Sequence, residues 1–247
     1  MPGNHYSGEA IVLEAYPSGK GRRICFFTPL SGCITVSIQG EPGPGSSLAG
    51  CGEYLSVQQI KAFSQGNWYI LTMSKKIHSP RFGGNMLHYC LSALFSELIA
   101  GDLREPCPDL YSAFRNFILL ESGVPVLPRA LHLLAALIQV AGWQPELDCC
   151  TICGKSLYDN DQAVLSPANG GLVCGSCTPE QNTAEKHLPC SCFNPWTAIC
   201  STTAIEDCDK ISSSAEGSSL LLREILHYYS YLRDRKPASL DMVLKQL

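Results

Sequence analysis

Two Cys-x-x-Cys pairs constrain this chain more than any other feature. The first is Cys150-Thr-Ile-Cys153, followed by Gly154, and the second is Cys174-Gly-Ser-Cys177, with 20 residues between them. That interval lies at the upper edge of the spacing expected for a structural zinc site. Each pair places two thiolates on one small turn, and two such turns supply the four sulfurs of a tetrahedral ion. Gly154 and Gly175 each follow a cysteine of a pair, where a tight turn favours positive φ. Between the pairs, residues 163–167 and 169–173 read as short strands joined by a Gly turn, a zinc ribbon in miniature. The expected ligands are Cys150, Cys153, Cys174 and Cys177. The expected ion is a structural Zn2+, because four thiolates leave no open position for catalysis.

Fourteen cysteines in a short secreted chain would suggest disulfides. Here the first residues, Met1-Pro-Gly-Asn-His5, lack a basic-then-apolar leader, and the paired spacing favours metal. A cytoplasmic chain is expected, with its other ten thiols reduced. His187, Cys190 and Cys192 form a second tempting cluster, but their spacing matches no common complete site.

The stretch before residue 80 alternates like a small β-barrel. Strands are expected over 9–16, 22–28, 33–38, 53–60 and 67–77, separated by turn-forming Gly, Pro and Ser. Five short strands in about 75 residues suit an OB-fold, and by pattern alone an SH3-like barrel fits nearly as well. Charge points the same way as architecture. Residues 1–84 carry seven Lys or Arg against four Glu and no Asp, a net of +3, while the remaining 163 carry eleven against eighteen, a net of -7. Attraction to phosphate therefore belongs to the N-terminal part. Candidate DNA-binding residues are Lys20, Arg22, Arg23, Lys75, Lys76 and Arg81. Tyr16, Tyr54, Trp68 and Tyr69 are candidate stacking residues, although strand aromatics more often pack inward as core.

From Gly84 the period lengthens to that of a helix. Leu87, Cys90, Leu91, Leu94, Phe95 and Leu98 form one stripe, closed by Gly101. A second helix is expected after Pro108, and a third from about Pro128 to Gly142, apolar on more than one face and hence central to a bundle. His88 and His132 fall on these helices, where a core or surface histidine is the commoner case than a ligand. Residues 178–205 show little periodicity and read as an irregular connection. Leu221, Leu222, Ile225, Leu226, Tyr229 and Leu232 then mark a late helix, stopped by Pro237, and Ser239 is placed to cap a short final one. The expected class is α+β, with a five-stranded OB-fold barrel over 1–80, an α-helical domain over 81–145 and 181–247, and a four-cysteine zinc ribbon inserted at 146–180.

Barrel, helices and embedded ribbon, in this order, resemble the bacterial DNA repair protein RecO family. The most specific match is Ala141-Gly-Trp-Gln-Pro-Glu-Leu-Asp-Cys-Cys150-Thr-Ile-Cys153-Gly, which is similar to the family's Leu-Gly-Tyr-x-Pro-x-Leu-Asp-x-Cys-x-x-Cys-Gly. Leu165-Ser-Pro-x-x-Gly-Gly-Leu-x-Cys174-x-x-Cys177 is similar to the family's continuation. The resemblance implies the same four ligands, with Cys149 a spare thiol. It implies binding of single- and double-stranded DNA, strand annealing, and association with RecR and the single-strand-binding protein. With RecR, such proteins assist RecA loading in the RecF pathway of recombinational repair. One departure is clear. Where the family carries an Arg-Gly-x-Arg-Lys loop after the third strand, this chain has Gln39-Gly-Glu-Pro-Gly-Pro-Gly-Ser-Ser47, without Lys or Arg. The expected DNA contact thus moves to Lys20, Arg22 and Arg23.

The function expected is a non-enzymatic DNA-binding recombination mediator. A zinc-stabilised protein-interaction adaptor with weak or lost DNA binding is the alternative, suggested by the net charge of -4 and the missing loop. Catalysis is the least expected reading, since no Ser/His/Asp trio or phosphate-cradling Gly loop is apparent.

Overall fold

Strands that alternate between core and solvent roll the N-terminal stretch into a closed barrel. The computed structural model describes residues 5–40, 42–65, 68–103, 105–178, 187–201 and 214–247. They divide into two compact units, Met1–Val124 and Pro125–Leu247.

In the first unit, β1 (His5–Ser18), β2 (Gly21–Thr28), β3 (Gly32–Gln39), β4 (Val57–Gln65) and β5 (Trp68–His78) close in the order β1-β2-β3-β5-β4. β1 pairs antiparallel with both β2 and β4, while β3 and β5 pair in parallel through Val36–Tyr69 and Ser37–Ile70. A five-stranded Greek-key barrel closed this way is an OB-fold. Its core holds Val12, Ile24, Phe26, Val36 and Ile60, all fully buried, with Leu48 and Cys51 of the β3–β4 connection packed against them. That connection folds back on β5 through a 2.9 Å bond from Ser74 N to Ser47 O.

The strand expected over 53–60 starts only at Val57. Residues 53–56 form a turn instead, with Ser56 N bonding Glu53 O at 3.1 Å and Leu55 at φ 60°. Bonds exchanged between Leu55, Ser56 and Val12 hold it in place. Asn67, expected to open the fifth strand, lies outside the described residues.

Helices α1 (Met86–Asp102) and α2 (Pro108–Ile118) pack on the barrel. Ser96 Oγ of α1 donates to Leu13 O of β1 at 2.9 Å, and Tyr111 of α2 meets Phe27 of β2 edge-on at 5.3 Å between centroids. Asn85 caps α1 by accepting from His88 N at 3.0 Å. His88 itself is a buried core histidine whose Nε2 donates to Phe117 O at 2.7 Å. Burial holds it below the usual imidazole range.

The second unit is built on α3 (Val126–Ala141), α4 (Asn194–Ser201), α5 (Ala215–Leu232) and α6 (Leu240–Leu244). α3 packs against α4 and α5, and Trp143 just beyond α3 meets Tyr229 at 5.5 Å. The apolar stripes suggest one bundle of α1, α2 and α3. α1 and α2 instead belong to the first unit, where Phe27, Leu13 and Glu9 give them a sheet to cover, and α3 belongs to the second. α4 is an element the sequence reading lacks, inside the connection expected to be irregular. It forms because Trp196 and Ile199 bury one face of two short turns. Residues 179–186 and 202–205 of that connection lie outside the described residues. Ser239 sits before α6, but its side chain makes no capping bond there.

Candidate metal centre and nucleic-acid interface

The ribbon follows α3 in the chain. β6 (Gln162–Ser166) and β7 (Gly171–Cys174) pair antiparallel, and β8 (Leu188–Pro189) adds a short third strand beside β6. Glu146 closes the other side of the hairpin, accepting from Leu172 N at 2.8 Å. The approach is so tight that a Cβ on Gly171 would lie 2.3 Å from Glu146 O, which excludes any other residue there.

Each cysteine pair sits on a backbone knuckle. Gly154 N returns to Cys150 O at 2.8 Å with Gly154 at φ 71°, and Cys177 N returns to Cys174 O at 2.9 Å. The expectation of positive φ holds for Gly154 and not for Gly175, which is absent from the positive-φ glycines. Thr151 ties the first knuckle to β7 by donating from N at 2.9 Å and from Oγ1 at 3.2 Å to Leu172 O. The four Sγ atoms of Cys150, Cys153, Cys174 and Cys177 consequently lie within 4.8 Å of one another, and Cys153 and Cys174 are 3.9 Å apart. A tetrahedron with bonds of about 2.3 Å has edges of about 3.8 Å. The set therefore fits a tetrahedral thiolate-bound metal ion.

Electrostatics within the cluster are uneven. Burial pushes the Cys150 thiol up, but N–H groups of Cys153, Cys174 and Ile152 outweigh it and bring it down to about 6. Cys177 is pushed up to about 12 by hydrogen bonds to the sulfurs of Cys174 and Cys153, with burial adding to them. Without a cation the four sulfurs share protons, and a bound dication removes them. Among the described residues this is the only group of three or more metal-ligating side chains close enough to share an ion. His187, Cys190 and Cys192 are not brought together as one. The His132 ring is half-buried, with Nδ1 lacking a hydrogen-bond partner, and burial and the nearby Arg129 hold it below the usual imidazole range.

The six basic candidates fall into two sets. Lys20, Arg22 and Arg23 line one groove of about 630 Å3 with Ser37, Gln39 and Gly40, at the β1–β2 turn and along β2 and β3. Lys75 and Lys76 lie on β5 and Arg81 beyond it. Lys76 Nζ is 2.7 Å from Glu53 Oε2, and that hydrogen bond holds the Glu53 carboxyl below its usual range.

Of the aromatic candidates, only Tyr69 packs against the barrel core. Tyr16, Tyr54 and Trp68 remain 40%, 39% and 44% exposed, so the inward-packing expectation fails for them. Tyr16 stands opposite Arg23 in the β1–β2 register, and Arg23 stands opposite Ser37. Because Ile24 and Val36 point inward, this row faces out. The Arg23 guanidinium reaches past small Ser37 to stack 4.1 Å over the Trp68 ring. This pairing across β2, β3 and β5 is invisible in the sequence, since it depends on the parallel β3–β5 contact.

Residues 87–241 match the family model described as the recombination protein O C terminal. A DNA repair protein RecO of Synechococcus sp. (strain JA-3-3Ab) is 27% identical over 195 residues, covering 72% of this chain and 64% of that relative. The chain thus spans just under two thirds of that relative's length. The DNA repair protein RecO of Synechococcus sp. (strain JA-2-3B'a(2-13)) is 24% identical over a 252-residue alignment covering 92% of this chain and 86% of that protein. That of Syntrophus aciditrophicus (strain SB) is 34% identical over 74 residues, 30% of this chain and 29% of the relative.

Proposed function

The chain belongs to the recombination protein O family, and from that premise we propose that it is a DNA-binding mediator of recombinational DNA repair. In this reading it works in the RecF pathway, binds single- and double-stranded DNA, anneals complementary strands and assists RecA loading together with RecR and the single-strand-binding protein. It does so without catalysis, in the cytoplasm at the nucleoid. No helix among the described residues is long and apolar enough to cross a membrane.

The observation that carries the reading is the convergence of Lys20, Arg22 and Arg23 in one groove on the β2–β3 side of an OB-fold. That side and the β1–β2 and β4–β5 loops are where such barrels bind oligonucleotides. Lys75 on β5 and Arg81 beyond it add exposed positive charge as a second set, and Lys76 contributes only when released from Glu53. The ion expected at Cys150, Cys153, Cys174 and Cys177 is Zn2+, supplying a cross-link between the two knuckles of the ribbon.

The test is single-strand affinity as a function of salt for the wild-type chain and for K20A/R22A/R23A. The wild type should lose affinity steeply as salt rises, because neutralised phosphates release counterions, and the triple variant should bind more weakly with a shallower slope. Equal binding by both would overturn the assignment. The adaptor alternative is favoured by one observation: the β3–β4 connection has no Lys or Arg and lies folded on the barrel. Strong capture of RecR and the single-strand-binding protein without DNA affinity would select it.

A further inference from the structure

We propose that Trp68, Arg23 and Tyr16 form a stacking platform for an unpaired nucleobase, and that this row makes the barrel prefer single-stranded over duplex nucleic acid. The inference rests on the reading that the Lys20–Arg22 groove binds DNA, and adds to it the element that tells one form of DNA from another.

Phosphate contacts cannot make that distinction. Lys20 and Arg22 offer positive charge to any polyanion, and such contacts position a strand without reporting whether its bases are paired. An exposed aromatic ring does discriminate, because the face of a base is free to stack on it only when the base is unpaired and splayed from its neighbours. Trp68 and Tyr16 are the two aromatics of the row, each with about two fifths of its surface in solvent, and Arg23 lies between them. Their order across the sheet follows from the register: Tyr16 on β1, Arg23 on β2, then Trp68 on β5.

Arg23 is what distinguishes this row from ordinary surface aromatics. Its guanidinium is flat enough to stack and sits 4.1 Å from the Trp68 ring centre, so both planes are held before a ligand arrives. Its Nε is buried and has no hydrogen-bond partner. A side chain that merely covered a tryptophan would not need to bury a donor unmet. The same groove wall holds Lys20 and Arg22. A strand whose phosphates lie on these two side chains can turn a base onto the row beside them.

The experiment uses the full chain and three probes of equal length: an oligothymidylate strand, the same strand carrying abasic sites, and a duplex. Stacking contributes enough per base that W68A should lower the ratio of single-strand to duplex affinity at least about fivefold, with Y16A acting in the same direction. W68F, which keeps a ring, should retain most of the ratio. The wild type should bind the abasic strand more weakly than the thymidylate strand of the same charge, and W68A should not tell them apart. A ratio unchanged in W68A, or equal wild-type affinity for abasic and thymidylate strands, overturns the platform. The abasic comparison is made on wild-type protein, so it decides even if a variant fails to fold. K20A/R22A separates the two levels. If it weakens single strands and duplex together while W68A leaves the ratio alone, only the platform fails. If neither form of DNA binds, or K20A/R22A weakens neither, the groove reading fails and takes the platform with it.

Discussion

Glu9 Oε1 lies 2.7 Å from Arg115 Nε, tying the first strand to the second helix across 106 residues of sequence. The same oxygen accepts from the Tyr111 hydroxyl at 3.0 Å. Both charged side chains are 29% exposed, so the pair is partly shielded from water. Burial, reinforced by the Glu9 charge, raises the Tyr111 phenol above its usual range and keeps it a donor. R115A should therefore cost roughly 1–2 kcal/mol, between an exposed and a buried ion pair. Chemical denaturation of R115A, E9Q and the double variant checks it. Additive single effects would mean that the two side chains do not cooperate.

The zinc assignment makes a selective prediction about five neighbouring thiols. C153S and C174S should lose stoichiometric metal and melt at lower temperature, because metal binding in such sites is folding free energy. C149S should keep its ion, since Cys149 is not part of the four-sulfur cluster. Elemental analysis beside thermal melts reads both outcomes. Adding zinc to metal-free protein should also release protons, the Cys177 proton among them, as that thiol is pushed up to about 12. Calorimetry in buffers of different ionisation enthalpy measures the release, and a C153S protein with full zinc content would refute the four-ligand site.

How much of this is legible in sequence depends on the range of the interaction. The four-sulfur cluster follows from local spacing, and most strand limits follow from alternation broken by Gly and Pro. The turn at Glu53–Ser56 is hidden because Leu55 adopts φ 60° with no glycine to announce it. α4 is hidden because its stability comes from burying Trp196 and Ile199, a tertiary effect on a segment of weak helical pattern. The Arg23–Trp68 stack joins residues 45 positions apart through a strand, β3, that contributes only a small side chain to it. The exposure of the aromatics is hidden for the same reason: alternation gives two faces but does not say which face Tyr16 and Trp68 take until the barrel closes.

His88 gives a pH dependence with a definite sign. Burial disfavours its charged form, so its folded-state pKa lies below that of the unfolded chain. Below about pH 6.5 the unfolded chain takes up a proton that the folded chain refuses. The stability His88 contributes is thus present above that pH and lost as pH falls through the window between the two values. His132, also held low, adds a contribution of the same sign from the second unit. Between about pH 7.5 and about pH 5.5, which bracket the ordinary imidazole value, denaturant midpoints should fall less steeply in H88Q, which keeps a donor toward Phe117 O. An identical pH slope in H88Q and wild type would remove His88 as a contributor.

Glu53 offers a way to increase binding where the other substitutions decrease it. Its carboxylate holds Lys76 at 2.7 Å and accepts from Ser79 Oγ at 2.8 Å, so one of the six basic candidates starts out neutralised. Both charged side chains are close to half exposed, and the pair is screened enough by solvent that breaking it costs little stability. E53Q keeps an acceptor for Ser79 while removing the negative charge. Lys76 then becomes available to a phosphate, and the slope of log affinity against log salt for single strands should steepen by about 0.7, one added contact. K76A in the wild-type background should change the slope little, because the charge it removes is already spent on Glu53, whereas K76A added to E53Q should abolish the gain. Salt titrations of the four proteins, wild type, E53Q, K76A and the double variant, measure the three differences. A K76A slope shallower than the wild type by about 0.7 would mean that DNA displaces Glu53 unaided and that Lys76 already contacts phosphate in the wild-type chain.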